Sequence, residues 1–252
     1  MFGEIALSFS LNCFILGRSA LKRRQCVAFI DATRYNLAMS DIKCVLFDMD
    51  GTLCNTLLDL ARAVQAAMAN FGCSQPTDDD VRHFVGNGSF KLIELALPAG
   101  REVLLKDAEQ YFQQYYRAHL TVHTRPYPGI TELLEGLKER GIRLGVVSNK
   151  AQIPLETIVS TFFPETFGVV VGGSPDYPLK PAPDMLLKAM AELGVSENET
   201  LYIGDSDVDV RAAKNAEVRG VFCDWGFQGA EVLSEAGAEN IAFHPSDILK
   251  YI

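Results

Sequence analysis

From Ile42 onward the sequence predicts an α/β fold, a doubly wound parallel sheet of Rossmann-like type with an inserted α-helical module. Three observations predict it. Short apolar, often β-branched runs alternate with stretches of helical period. One long segment carries helical pattern only. Acids, a hydroxyl or a lysine follow directly behind the strand-like runs.

Composition bounds the alternatives. The 252 residues are 48% hydrophobic and 22% charged, which excludes a disordered chain, a collagen-like fibre or a small disulfide scaffold. The net charge of −9 argues against nucleic-acid binding, which depends on Lys and Arg displacing counterions. No run approaches the roughly 20 apolar residues of a membrane span. Six cysteines lie without a C-x-x-C pair and read as free thiols in a reducing, cytoplasmic setting. Cys54, close to an acidic motif, reads as a small semi-buried side chain rather than a reactive thiol.

Residues 1–38 hold five Arg or Lys against Glu4 and Asp31, a local +3 that leaves −12 for the rest. Their positive residues follow the apolar stretch Ile5–Leu16, the wrong order for a secretory signal, and the two acids weaken a mitochondrial-type presequence. The segment is expected to be an extension outside the fold, with Met39 as the working start.

The first strand is expected at Ile42–Phe47. Helical stripes follow, Leu57, Leu60, Val64, Met68 and Phe71, then Leu104, Ala108, Tyr111, Phe112 and Tyr115. Residues 57–125 therefore form the helical insertion, and 39–56 with 126–252 the core, Pro126, Pro128 and Gly129 marking the return. Further strands are expected at Ile142–Val147, Val169–Val171, Leu201–Ile203 and Val218–Phe222. Core-facing stripes lie between them: Ile130, Leu133, Leu134 and Leu137; Ile153, Ile158, Val159 and Phe162; and Leu186, Leu187, Met190 and Leu193.

Ligands of open α/β sheets bind beyond the carboxyl ends of the strands. Asp48 and Asp50 follow the first strand two residues apart, so both can face one ligand. Close carboxylates repel and need a cation or proton to coexist; solvated loop acids are the plain alternative. Ser148 and Asn149 follow the next strand and suit a phosphate oxygen or a helix cap. Lys180, before Pro181 and Pro183, is a fixed charge for a phosphate or an exposed turn residue. Asp205, Asp207 and Asp209 offer hard oxygen ligands suited to Mg²⁺, with helix capping by Asp205 or Ser206 as the alternative. The histidines His83, His119, His123 and His244 show no metal-ligand spacing and read as ordinary residues of the surface or of the helical insertion. The four motifs occur in order, each behind its own strand.

With that ordered set, Asp48-Met49-Asp50-Gly51-Thr52, Ser148-Asn149, Lys180-Pro181 and Gly204-Asp205-Ser206-Asp207-Val208-Asp209, residues 42–252 resemble the haloacid dehalogenase (HAD) superfamily of phosphatases. Phe84-Val85-Gly86-Asn87-Gly88-Ser89 and Leu92-Ile93-Glu94-Leu95-Ala96-Leu97 resemble phosphoglycolate phosphatase. The resemblance implies a HAD core with residues 57–125 as cap. It implies Asp48 as nucleophile and Asp50 as acid and base, with Thr52, Ser148, the Asn149 amide and Lys180 binding phosphate. It implies Mg²⁺ on Asp48, Asp205 and the Asp50 carbonyl, with Asp209 a ligand or just behind. Asp50 favours phosphate esters over the reactions of dehalogenase and phosphonatase relatives, which lack an acid there. The expected function is hydrolysis of 2-phosphoglycolate. The alternatives are a broader sugar-phosphate, nucleotide or pyrophosphate phosphatase, a phosphomutase, or a non-catalytic module binding a phosphometabolite. The expected partner is a small phosphorylated metabolite, with no nucleic acid, no membrane, and a monomer or homodimer.

The chain departs from the pattern twice. Asn55 stands where an acid is usual, and Glu94-Leu95-Ala96-Leu97 lacks the arginine of the related Glu-Arg-Ala-Leu. Arg62, His83, Asn87 and Lys91 are the candidate substitutes, and of these Asn87 and Lys91 are the expected cap contacts to substrate.

Overall fold

The computed structural model describes residues 42–252. The expectations for residues 1–38, the Met39 start, and Cys13 and Cys26 lie outside the described residues. Strand β1 (Cys44–Phe47) is buried throughout, as four consecutive apolar residues flanked on both sides must be. Helices α1 (Leu57–Asn70), α2 (Asp78–Phe84), α3 (Gly88–Ala96) and α4 (Leu105–His119) follow before the chain returns to the sheet. Where it leaves and where it returns, β2 (Cys54–Asn55) and β3 (Arg125–Pro126) pair antiparallel. Two-residue strands are too short to show a period, and the sequence reading had no sign of them.

The rest alternates as expected through α5 (Ile130–Glu139), β4 (Arg143–Ala151), α6 (Gln152–Phe162), β5 (Val169–Gly173), α7 (Asp184–Leu193), β6 (Thr200–Gly204), α8 (Asp207–Asn215) and β7 (Arg219–Cys223), and α9 (Gly229–Glu235) and β8 (Ile241–Ala242) then add a helix and a strand beyond those expected. The six-stranded sheet has the order β5-β4-β1-β6-β7-β8, and every pairing is parallel. Chain order reverses between β1 and β6, so their carboxyl ends flank the switch-point crevice.

The stripe on α1 is correct, since Leu57, Leu60, Val64 and Met68 are buried, and so is that of α5. Two others are out of phase. Ile153 is 58% exposed while Pro154, Leu155 and Ile158 face the core, and Leu187 is 42% exposed while Met185, Leu186, Ala189 and Met190 are buried. In both helices the true face includes a small or cyclic residue that a count of large apolar side chains passes over. On α4 the buried residues are Ala108, Phe112 and Tyr116, the last outside the expected stripe.

Packing joins the inserted helices to one another and to the chain around them. Helix α1 lies against α4, and α3 bridges α4 and β4. Asp59, only 1% exposed, accepts hydrogen bonds from the His123 and Thr124 amides and the Thr124 hydroxyl, tying the first turn of α1 to the chain before β3. A buried carboxylate is tolerated when several donors satisfy it. Among the described residues no helix is long and apolar enough to cross a membrane, and Cys44, Cys54, Cys73 and Cys223 are free.

Candidate active site

A cleft opens where the inserted helices meet the carboxyl ends of β1, β4 and β6. Asp48, Asp50, Ser148, Asn149, Lys180 and Asp205 all line it, so the four motifs do converge.

At its floor lies Lys180, 3% exposed and no turn-surface residue. Its ammonium donates to the Val147 carbonyl at 3.1 Å, the Tyr202 hydroxyl at 2.8 Å and Asp209 Oδ1 at 2.8 Å. Asp48 Oδ1 stands 2.9 Å away as an ion-pair partner. Those other three acceptors use the ammonium protons, so Asp48 Oδ1 is buried without a hydrogen bond. Burial raises the Asp48 carboxyl to about 6; Lys180 and a Ser148 hydrogen bond oppose the rise, while Asp209 and Asp50 add to it. Burial would lower the Lys180 ammonium, but Asp209 and Asp48 hold it above its ordinary value.

Asp209 is saturated. Its Oδ1 accepts from Lys180 and the Tyr202 hydroxyl, and its Oδ2 from the amides of Asp205 and Ser206 and the Ser206 hydroxyl. Although burial opposes ionisation, Lys180, Ser206 and Tyr202 hold its carboxyl below the ordinary value. Ser206 also caps α8, with Asp209 completing the capping box, so the capping alternative holds alongside a place in the site. Asp205 accepts from the Thr52 hydroxyl at 3.0 Å and the Phe227 amide at 2.8 Å. Burial raises its carboxyl well above normal, and the like charges of Asp209 and Asp48 add to the rise. Asp207, by contrast, bonds Gln228 and pairs with Arg211 away from this cluster.

One carboxylate oxygen each from Asp48, Asp205 and Asp209 lies within 4.8 Å of the others. Three acids at that distance, one with an oxygen lacking a hydrogen bond, have the hard-oxygen chemistry of a divalent-cation site. Two glycines make the approach possible. A Cβ on Gly51, whose φ is +86°, would stand 2.1 Å from Asp205 Oδ2, and one on Gly226 would stand 2.2 Å from Asp205 Cβ.

Ser148, Asn149 and Lys150 lie within β4, which runs to Ala151 rather than ending at Val147. Its register against β5 shifts between Val147 and Ala151, an irregularity of the kind that re-aims side chains. None of the three caps α6, whose N-cap is Ala151. The Asn149 side chain donates to the Gly86 and Lys180 carbonyls and accepts from the Lys180 amide. It thereby pins the Lys180 loop and touches the segment ahead of α3.

Some expected contacts fall elsewhere. Thr52, fully buried, spends its hydroxyl on Asp205 and does not line the cleft. Asn87 is the exposed N-cap residue of α3, and exposed Lys91 pairs with Glu94, so neither lines it. Arg62 pairs with Asp78, and His83 bonds the Asp79 carbonyl. Cys54 is wholly rather than half buried, and burial pushes its thiol up, which leaves it unreactive.

Other residues take the place of those expected contacts. Lys150, Gln113, Tyr116 and Arg117 line the cleft, and none is singled out by the motifs. Lys150 Nζ stands 3.0 Å from Asp50 Oδ1 and donates to the Tyr116 hydroxyl at 2.9 Å. The Thr56 hydroxyl donates to the same Asp50 oxygen at 2.6 Å. Arg117 has no ion-pair or hydrogen-bond partner among the described residues. A helical repeat from Phe112 and Gln113 would have placed Tyr116 and Arg117 on neighbouring faces of α4.

Residues 45–223 match the model of the haloacid dehalogenase-like hydrolase family. The chain belongs to that family, and it is a phosphatase. It is 30% identical to a phosphoglycolate phosphatase of Aquifex aeolicus over 83% of this chain and 96% of that protein. To one of Neisseria meningitidis it is 34% identical, over 81% and 89%. A mutant of CbbY from Rhodobacter sphaeroides, solved with xylulose-1,5-bisphosphate, superposes with a TM-score of 0.68 at 26% identity, covering 82% of this chain and 96% of that one.

Proposed function

We propose that the chain hydrolyses small phosphate monoesters through an aspartyl-phosphate on Asp48, with Mg²⁺ as cofactor and 2-phosphoglycolate as substrate. The observation that carries this reading is the buried Asp48 carboxylate at the switch point, one oxygen without a hydrogen bond, with Asp50 two residues on in the same cleft. In the first step an Asp48 oxygen attacks phosphorus, the bond from phosphorus to the ester oxygen breaks, and Asp50 gives that oxygen a proton. In the second, water attacks phosphorus and yields a proton to Asp50, the bond to Asp48 breaks, and inorganic phosphate leaves.

The Ser148 hydroxyl and Asn149 amide serve as phosphoryl ligands, and Lys180 offsets the charge gathered at Asp48. Asp48, Asp205 and the Asp50 carbonyl would hold Mg²⁺, with Asp209, its oxygens already taken, behind them. When bound, the ion supplies the positive charge that lets a carboxylate meet a phosphate dianion. On the cap side, Arg117, which lines the cleft and has no partner among the described residues, supports a substrate with a second anionic group, such as the carboxylate of phosphoglycolate. Free thiols suit a cytoplasmic setting.

The test is steady-state phosphate release from 2-phosphoglycolate with Mg²⁺, using Asp48→Asn protein as the blank. A kcat/KM of about 10⁴ M⁻¹s⁻¹ or more supports the reading. A far lower value with 4-nitrophenyl phosphate still hydrolysed keeps the chemistry and discards the substrate. The second reading, a sugar bisphosphate, is favoured by the likeness to CbbY, and a pentose bisphosphate assayed in parallel tests it.

A further inference from the structure

Lys150 is a second buried cation in the cleft, separate from the Lys180 cluster, with only 4% of its side chain exposed. It faces Asp50 on one side and the hydroxyl of Tyr116 on the other, and its Nζ lies 4.7 Å from the centre of the Tyr116 ring. Tyr116 is 3% exposed and stacked on Phe112, so it cannot swing away without disturbing α4. Thr56 also donates to Asp50 Oδ1, so hydroxyl and ammonium together fix where that carboxylate points. Nothing in the phosphoryl-binding set requires a lysine here.

We propose that Lys150, seated by Tyr116 of the inserted helices, is the positioning residue that aims the Asp50 carboxylate at the leaving oxygen. The inference rests on the reading of Asp50 as acid and base. Through the Lys150–Tyr116 contact, which spans 34 residues of sequence, the placement of α4 is coupled to the proton-transfer group.

Leaving-group dependence separates this role from a structural one. An alkyl ester needs a proton on its departing oxygen, whereas 4-nitrophenolate leaves without one. With 2-phosphoglycolate, Lys150→Met is expected to lower kcat about 100-fold, the lower end of general acid–base contributions, with KM changed less than about threefold. With 4-nitrophenyl phosphate, rapid mixing is expected to show a burst of about one equivalent of nitrophenolate at near wild-type rate. A slow steady state follows, because Asp50 is still needed to activate water. Lys150→Arg should recover part of the loss. Tyr116→Phe, which removes only a hydroxyl, should give the same split at about fivefold, and it decides the matter should Lys150→Met fail to fold.

Equal losses on both esters, with the burst rate falling alongside, would overturn the proposal and make Lys150 a phosphate ligand or a structural ion. Asp50→Asn runs in parallel. If it lacks the leaving-group split, the reading of Asp50 falls and takes the proposal with it. If it shows the split and neither Lys150→Met nor Tyr116→Phe does, the proposal alone falls.

Discussion

On the floor of the cleft, Asp48, Lys180, Asp205 and Asp209 are each no more than 7% exposed and hold one another through hydrogen bonds and ion pairs. On the roof, Phe112 and Tyr116 are anchored in the helical core, while Arg117 beside them is exposed and has no partner among the described residues. The floor is fixed by its own network and cannot adapt to different substrates. At Arg117, unlike at Tyr116, the roof carries an exposed charge that can be altered without disturbing the chemistry below. On the proposed function, reaction type belongs to the sheet edge and discrimination to Arg117, and that contrast can be broken experimentally.

The largest expected effect is at the floor. Asp48→Asn is expected to lower kcat by about four orders of magnitude or more, since loss of a covalent nucleophile leaves only residual binding effects. Its melting temperature should not fall, because the change is isosteric and relieves repulsion among three buried acids. Turnover within tenfold of wild type would remove Asp48 as nucleophile.

Lys180→Met comes next. It strips the cation from a cluster holding Asp48 and Asp209, and breaking one side of a buried ion pair costs about 3–5 kcal/mol. For a domain of this size that is a fall in melting temperature of roughly 10 °C, with activity lost as well. Thermal scans of metal-free protein read it directly, and an unchanged midpoint would show that the floor is not the network described.

At the roof the expectation is smaller and selective. Arg117→Gln should cost about 10- to 100-fold in kcat/KM for 2-phosphoglycolate, the worth of one charge-assisted contact. Against 4-nitrophenyl phosphate, and in melting temperature, it should change little. Equal losses on both substrates would erase the division between floor and roof.

These two regions also differ in how legible they were. The floor was legible because each of its acids and Lys180 sits within a few residues of a strand end, and strands betray themselves by short apolar runs. Its supports were not, since Gly226 and Phe227 approach Asp205 from about 20 residues away and no local pattern records that. On the roof, stripes give α1 correctly, but Asn87 and Lys91, polar residues in or beside a suggestive motif, are exposed and do not line the cleft. Tyr116 and Lys150 meet only through tertiary packing, so the sequence holds both and gives no sign of their contact.

The smallest expected effect concerns the sign of a pH dependence. Burial raises the Asp48 carboxyl to about 6, above the 3.9 of an unfolded chain. The native state therefore binds the extra proton between those values, and stability at this site grows as pH falls through that window. Asp205, also raised, acts in the same direction, while Asp209, lowered, acts only below the ordinary carboxylate range. In metal-free protein the melting temperature of Asp48→Asn should exceed that of wild type by a few degrees near pH 7.5. The gap should close as pH drops to 4.5. Saturating Mg²⁺ should raise wild type and leave the variant behind, because the cation offsets the same repulsion that the proton does. A gap that widened on acidification would mean Asp48 is stabilised as an anion by Lys180 alone, leaving the floor no need of a metal.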